Sequence, residues 1–182
     1  MTTRRALVIG AAILATQPAI SGAEARDLDN TLIIELASGK VTVELRPDLA
    51  PNHVARIKEL ARDGFYDGIV FHRVIPGFMA QTGDPTGTGM GGSDKPNLKA
   101  EFTRTPFERG TLGMARSQNP NSANSQFFIC FDRSDWLDGQ YTVFGKVVDG
   151  MELVDAIAKG EPPANPDKMV RVYVAADAPA GG

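Results

Sequence analysis

The chain has 182 residues, of which 42% are hydrophobic and 23% charged. That suits one folded domain with a short leader and excludes wholesale disorder. A net charge of −3 argues against a phosphate-backbone partner. A single cysteine, Cys130, excludes an internal disulfide framework, and with only His53 and His72 beside it no zinc ligand set is expected.

Residues 1 to 25 have the pattern of a secretory signal. Arg4 and Arg5 form a positive start, Ala6 to Ala15 is a short apolar run, and small residues lead up to Ala23 and Ala25. The run is too short to span a bilayer comfortably. Cleavage is expected after Ala23 or Ala25. The first removes both arginines and takes the charge from −3 to −5. The expectation is export, to a periplasm or beyond, by either the general or the twin-arginine route. No membrane attachment is expected afterwards.

The strands come next. Leu32, Ile34 and Leu36 alternate, as do Val41, Val43 and Leu45, with Ser38-Gly39 between them. This predicts a hairpin over 31–36 and 41–45. Pro51 opens a helix carrying Val54, Ile57, Leu60 and Ala61 at helical spacing, stopped by Gly64. Strands are predicted over 69–74, 78–81, 111–116, 127–130, 143–148 and 169–175. A second helix is predicted over 151–158, and a long loop over 83–97. The strands do not alternate regularly with helices, which disfavours a doubly wound sheet. The expected fold is mainly β: a closed eight-stranded antiparallel barrel capped by two α-helices.

Residues 87–92, Gly-Thr-Gly-Met-Gly-Gly, match the dinucleotide fingerprint letter for letter. That fingerprint needs a strand before it and a helix after it. Here Pro85 precedes and Pro96 follows, so the segment is read as a surface loop. Ser117, Ser122 and Ser125 suggest a hydrolase only superficially. No nucleophile elbow surrounds them, and neither histidine has an identifiable carboxylate orienter.

Three other segments carry chemistry. In FHRVIPGFMAQ, residues 71–81, Arg73 stands inside an apolar strand, where burial is costly unless the guanidinium is used. Phe78 and Met79 are adjacent, so on a regular strand one fills the core while the other lines a cleft. In residues 125–130, Gln126 and Phe128 share a face and Phe127 points the other way, as expected for a half-apolar groove that also grips backbone. In WLDGQY, residues 136–141, the only tryptophan precedes a turn, a position suited to a rim.

Together these segments resemble the cyclophilin family of peptidyl-prolyl isomerases. FHRVIPGFMAQTGD, NSQFFIC, WLDG and VFGKVVDGM stand in family order, and GTGMGGS sits at the family's glycine-rich loop. The likeness runs from Thr31 to the last strand. It implies the eight-stranded barrel with two helices and rotation about X-Pro bonds without cofactor or metal. Its catalytic arginine falls on Arg73, assisted by Gln81. The proline pocket falls on Phe78, Met79, Phe128 and Leu137, with Tyr141 at its edge. Contacts to substrate backbone fall on Gln81, Ala115, Arg116 and Gln126. Trp136 takes the position associated with cyclosporin-type cyclic peptides. Tyr141 and Arg116 depart from a frequent histidine and asparagine, as in exported bacterial members. The implied partners are proline-containing polypeptides, unfolded or flexible exported proteins among them. Nothing demands more than a monomer. A docking or holdase module for proline peptides is the other reading, although Arg73 and Gln81 are superfluous for mere docking.

Overall fold

The computed structural model describes residues 26–178. The expected leader lies outside them. Strands β1 (Thr31–Leu36) and β2 (Gly39–Leu45) form the predicted hairpin, with Leu32 opposite Val43 and Ile34 opposite Val41. Helix α1 (Pro51–Arg62) follows. It starts with proline at its first turn, where the missing N–H costs nothing. Val54, Ile57, Leu60 and Ala61 are buried.

The remaining strands are β3 (Arg73–Ile75), β4 (Met79–Thr82), β5 (Thr111–Met114), β6 (Phe127–Cys130), β7 (Val143–Asp149) and β8 (Arg171–Val174). Helix α2 (Met151–Asp155) lies between the last two and is one short turn, not the eight residues expected. All eight predicted strands are present, in one sheet ordered β3-β4-β6-β5-β7-β2-β1-β8 with every pairing antiparallel.

The sheet curls but does not close, which corrects the closed barrel expected above. Edge strands β3 and β8 do not pair with each other. Isolated bridges, Val70 with Lys168 and Val74 with Gly160, span that region instead. Two features shorten the edge. Residues 69–72 leave strand geometry, so β3 keeps only Arg73 and Val74 of its expected residues and adds Ile75, and the segment facing it holds Pro162 and Pro163, which have no N–H to donate.

Side-chain parity sorts the sheet into two faces. Val74, Ala80, Leu112, Met114, Phe127 and Ile129 belong to the large interior cluster, together with Tyr66, Phe71 and the apolar face of α1. Met79, Phe128 and Cys130 belong to a smaller cluster on the other face, with Phe107, Leu137 and Val143. Cys130 is buried there, and burial pushes its thiol up to about 12, so it is no nucleophile at neutral pH.

Candidate active site

Register builds the site. Arg73 pairs with Gln81, Gln81 with Phe128, and Phe128 with Gly113. One rung across four strands therefore carries a cation, an amide, an aromatic ring and a gap. The gap is required. A Cβ on Gly113 would lie 2.5 Å from Phe128 Cζ and 2.6 Å from Phe107 Cε1. Without it, the Phe128 ring could not lie flat against Phe107, 5.8 Å away and tilted by 25°. A glycine inside a strand is the sequence sign of such close approach.

Above this rung is a cavity of about 680 Å³. Nine predicted residues line it: Arg73, Phe78, Met79, Gln81, Ala115, Arg116, Phe128, Leu137 and Tyr141. The other two stand just outside. Trp136 is 57% exposed and packs on the Phe78 ring at 5.4 Å. Gln126 lines an adjoining cavity of about 500 Å³ that shares Gln81, Gly89, Ala115 and Arg116 with the first. Phe78 and Met79 both face the main cavity, against the parity expectation. Phe78 lies in the turn before β4, its N–H bonded to Ile75 O, and so escapes strand alternation.

A directed chain of hydrogen bonds orders the polar side of the cavity. The Gln126 amide donates to Gly89 O (3.1 Å) and Gly91 O (2.8 Å). Its oxygen accepts from Gln81 Nε2 (2.9 Å), which leaves Gln81 Oε1 to accept from Arg73 Nη1 (3.4 Å). On its other side Arg73 Nε donates to Glu161 Oε1 at 2.9 Å. The guanidinium thus borders the cavity, and its acidic neighbour is more than half exposed. Such a pair contributes little to stability and does not bury the charge.

The glycine-rich loop is no passive surface loop. Gly87, Thr88 and Gly89 line the main cavity, and Gly89 to Gly92 line the second. Buried Asp84 organises it, accepting from Thr86 N and Oγ1 (both 2.8 Å), Gly89 N (2.6 Å) and Gly91 N (3.1 Å). Burial alone would raise this carboxyl, but the four donors outweigh it and hold it down at about 2. No helix follows the loop, so the fingerprint lacks the N-terminus that would hold a dinucleotide's phosphates.

Arg116 caps the far wall. Its guanidinium lies 4.3 Å from the centre of the Tyr141 ring and donates to Gln140 O and Ser117 O. The Tyr141 ring thus supplies a platform for this cation.

His72 forms part of the cavity wall with both ring nitrogens unpartnered among the described residues. Burial lowers its pKa and, with a smaller push from Arg73, outweighs the opposing attraction of Asp84, so the neutral ring is favoured. His53 does have a carboxylate partner, contrary to the sequence reading: its Nδ1 lies 2.6 Å from Glu101 Oε2. Among the described residues no serine bonds its ring, and it is fully buried at the start of α1, so this pair makes no hydrolytic triad. Among the described residues no three His, Cys, Asp or Glu side chains converge as a metal site. Sequence reasoning missed Gly113, Glu161 and Pro162. Gly113 carried a local sign; the other two come from a loop distant in sequence.

The comparisons agree with this geometry. The family description "Cyclophilin type peptidyl-prolyl cis-trans isomerase/CLD" matches residues 31–174. The chain belongs to the cyclophilin family. A Brucella suis protein named "Probable peptidyl-prolyl cis-trans isomerase" is 54% identical over 190 residues, covering 96% of this chain and 97% of that one. A solved cyclophilin from Hirschia baltica superposes with a TM-score of 0.78 at 31% identity, covering 85% of this chain and 77% of its own. A cyclophilin type isomerase from Cryptosporidium parvum, solved in the presence of the dipeptide Ala-Pro, gives a TM-score of 0.74 at 30% identity, covering 79% of this chain and 98% of its own. This cyclophilin is thus a peptidyl-prolyl cis-trans isomerase.

Proposed function

We propose that Arg73 is the group that accelerates X-Pro rotation, and that the substrates are proline-containing segments of unfolded or flexible exported proteins. One observation carries the first part: Arg73, Gln81 and Phe128 share a single rung beside the cavity.

The barrier to X-Pro rotation, about 18–20 kcal/mol, comes from amide resonance. Rotation takes tens to hundreds of seconds unaided. No bond is cleaved, so the reaction needs neither a nucleophile nor a metal. At the twisted geometry the proline nitrogen becomes pyramidal and regains a lone pair. A guanidinium N–H can donate to it there and gains almost nothing from the planar ground state, which is differential binding of the transition state. A hydrogen bond to a charged donor contributes roughly 1.5–3 kcal/mol, and a preorganised one about 3–4 kcal/mol. The apolar floor of Phe78, Met79, Phe128 and Leu137 holds the ring and favours the less polar twisted amide. A total near 7 kcal/mol gives about a 10⁵-fold acceleration.

In this reading Gln81 and Ala115 anchor the substrate backbone, Arg116 and Gln126 extend that contact, and Tyr141 closes the edge. Trp136 against Phe78 offers an exposed indole to larger ligands such as cyclosporin-type cyclic peptides. The leader pattern of residues 1–25 supports a site of work in the periplasm or outside the cell. Mass spectrometry of the protein recovered from an exporting cell tests this, with a new N-terminus at Glu24 or Arg26 expected. For the chemistry, Arg73→Ala is expected to lower kcat/KM at least tenfold on Ala-Pro peptides in a protease-coupled assay while the fold survives. An unchanged rate overturns the assignment.

A further inference from the structure

Glu161 reaches Arg73 from 88 residues further along the chain, and its position is built rather than incidental. The segment after α2 crosses the gap between the open edges β3 and β8. At its base, Lys159 Nζ donates to Asp155 O and Ile157 O, and Ala158 N–H donates to Asp167 Oδ2 at 2.8 Å. Midway, Gly160 and Val74 exchange two backbone hydrogen bonds of 2.9 and 2.8 Å. Val74 follows Arg73, so this exchange sets Glu161 alongside the guanidinium. Further on, Phe71 N–H donates to Asp167 O at 2.8 Å. Pro162, next to Glu161, joins the cavity wall.

The donors of Arg73 are divided among distinct tasks. Nε is taken by Glu161, Nη1 makes a long contact to Gln81, and Nη2 has no partner among the described residues. A guanidinium is a planar fork, so fixing its Nε edge fixes the direction of its Nη atoms. This matters because the Arg73 side chain is 43% exposed and would otherwise exchange among many rotamers. The 3.4 Å contact to Gln81 is too long to hold it unaided.

We propose that Glu161 is a positioning residue for catalysis: its carboxylate takes up Arg73 Nε and thereby presents the Nη edge to the proline nitrogen. The proposal rests on the assignment of Arg73 given above. A competing geometry, in which the carboxylate withholds the cation from substrate, would use the Nη atoms. Here carboxylate and substrate draw on different donors, so removing Glu161 slows the reaction instead of releasing it.

The test compares Glu161→Ala, Glu161→Gln, Arg73→Ala and the double variant Arg73→Ala/Glu161→Ala. Exchange NMR on an Ala-Pro peptide gives kcat and KM, and the Arg73 Nε–H resonance reports the contact directly. Glu161→Ala is expected to lower kcat about three- to tenfold with KM changed less than about twofold, as for lost orientation rather than lost binding. Glu161→Gln keeps an oxygen that accepts from Nε and is expected to retain most of kcat. The Nε–H signal should stay sharp in the wild type and Glu161→Gln and broaden by solvent exchange in Glu161→Ala. In the double variant the loss should equal that of Arg73→Ala alone. An unchanged or raised kcat in Glu161→Ala, or additive losses in the double variant, overturns the proposal while leaving Arg73 in place. Full activity in Arg73→Ala overturns both.

Discussion

Phe127 and Phe128 are neighbours in the chain and are used in opposite ways. Phe127 is fully buried, edge-on to Tyr66 at 5.5 Å and to Phe144 at 5.8 Å, within the interior cluster. Phe128 stacks on Phe107 and meets Tyr141 edge-on at 5.9 Å, yet one side of its ring lines the cavity. The inner ring has its contacts saturated by the protein. The outer ring is held on one side and left available on the other. One strand thus supplies stability from one face and, in the function proposed above, recognition from the other, and the sheet's parity keeps the two separate.

Truncating each ring puts that separation at risk. Phe127→Ala should cost about 3–5 kcal/mol of stability, because its site is enclosed and cannot collapse freely. Its kcat/KM per folded molecule should stay near wild type. Phe128→Ala should cost less stability, roughly 1–3 kcal/mol, since one side of its ring borders the cavity instead of packed side chains. It should instead raise KM for an Ala-Pro peptide at least about tenfold, in line with the value of burying an apolar ring. Urea unfolding and steady-state kinetics on both variants decide the matter. Equal losses of activity in the two would show that the faces are not independent.

Gly113 sharpens the comparison from below. Its side of β5 faces Phe128, and an added methyl would collide with two rings. Gly113→Ala is expected to lose about 1–3 kcal/mol by overpacking and to lower kcat/KM several-fold as Phe128 shifts. In a Phe128→Ala background the same methyl should cost less, because one of the two colliding rings is gone. Additive stabilities in the double variant would refute the coupling.

What the sequence revealed follows the same division between local and distant. Alternation located the β1–β2 hairpin, and the other six strands were legible as short segments between turns and loops. Motif order located the nine cavity residues through the family resemblance; Arg73 and Gln81 pair across a short turn, whereas Gln81 and Phe128, far apart in the chain, meet only through the register of the sheet. Closure was misread because it depends on whether the two edges meet, and no local pattern encodes that. Residues 69–72 are apolar enough for strand, yet Gly68 and Phe71 give their N–H groups to Met169 and Asp167 instead. The Phe78–Met79 parity failed for a local reason, since the Pro76-Gly77 turn displaces Phe78 from the strand. Glu161 and Glu101 were invisible because each meets its partner across a long stretch of chain.

Those two carboxylates pose the last test. Exposed Glu161 serves a cation that must remain accessible, whereas Glu101 is mostly buried and serves the fold. Ala50 provides no side-chain cap for α1. Glu101 does so from a distant loop, accepting from the backbone N–H groups of Asn52 (3.2 Å) and His53 (3.1 Å) and from the Asn52 amide (2.8 Å). Burial lowers the pKa of His53 and outweighs the attraction of Glu101, so the ring is neutral and its Nδ1–H donates to the carboxylate. Burial would raise the Glu101 carboxyl, but His53 and the helix donors together hold it below the usual carboxylate range. A depressed acid contributes stability that is present above its unfolded value, about 4.5, and is lost as pH falls through the folded one. His53, with its folded value also depressed, loses its contribution as pH falls below 6.5. Both effects run in the same direction, so the wild type should weaken steadily below pH 6.5. Glu101→Ala should cost about 1–2 kcal/mol at pH 7.5, as for a lost cap and an orphaned buried donor. The gap between variant and wild type should be smaller at pH 3.5, below the ordinary carboxyl value of about 4.5, because the unfolded acid takes up its proton there first. Urea midpoints measured at the two pH values test this, and a gap that stays constant would mean that Glu101 acts through packing rather than charge.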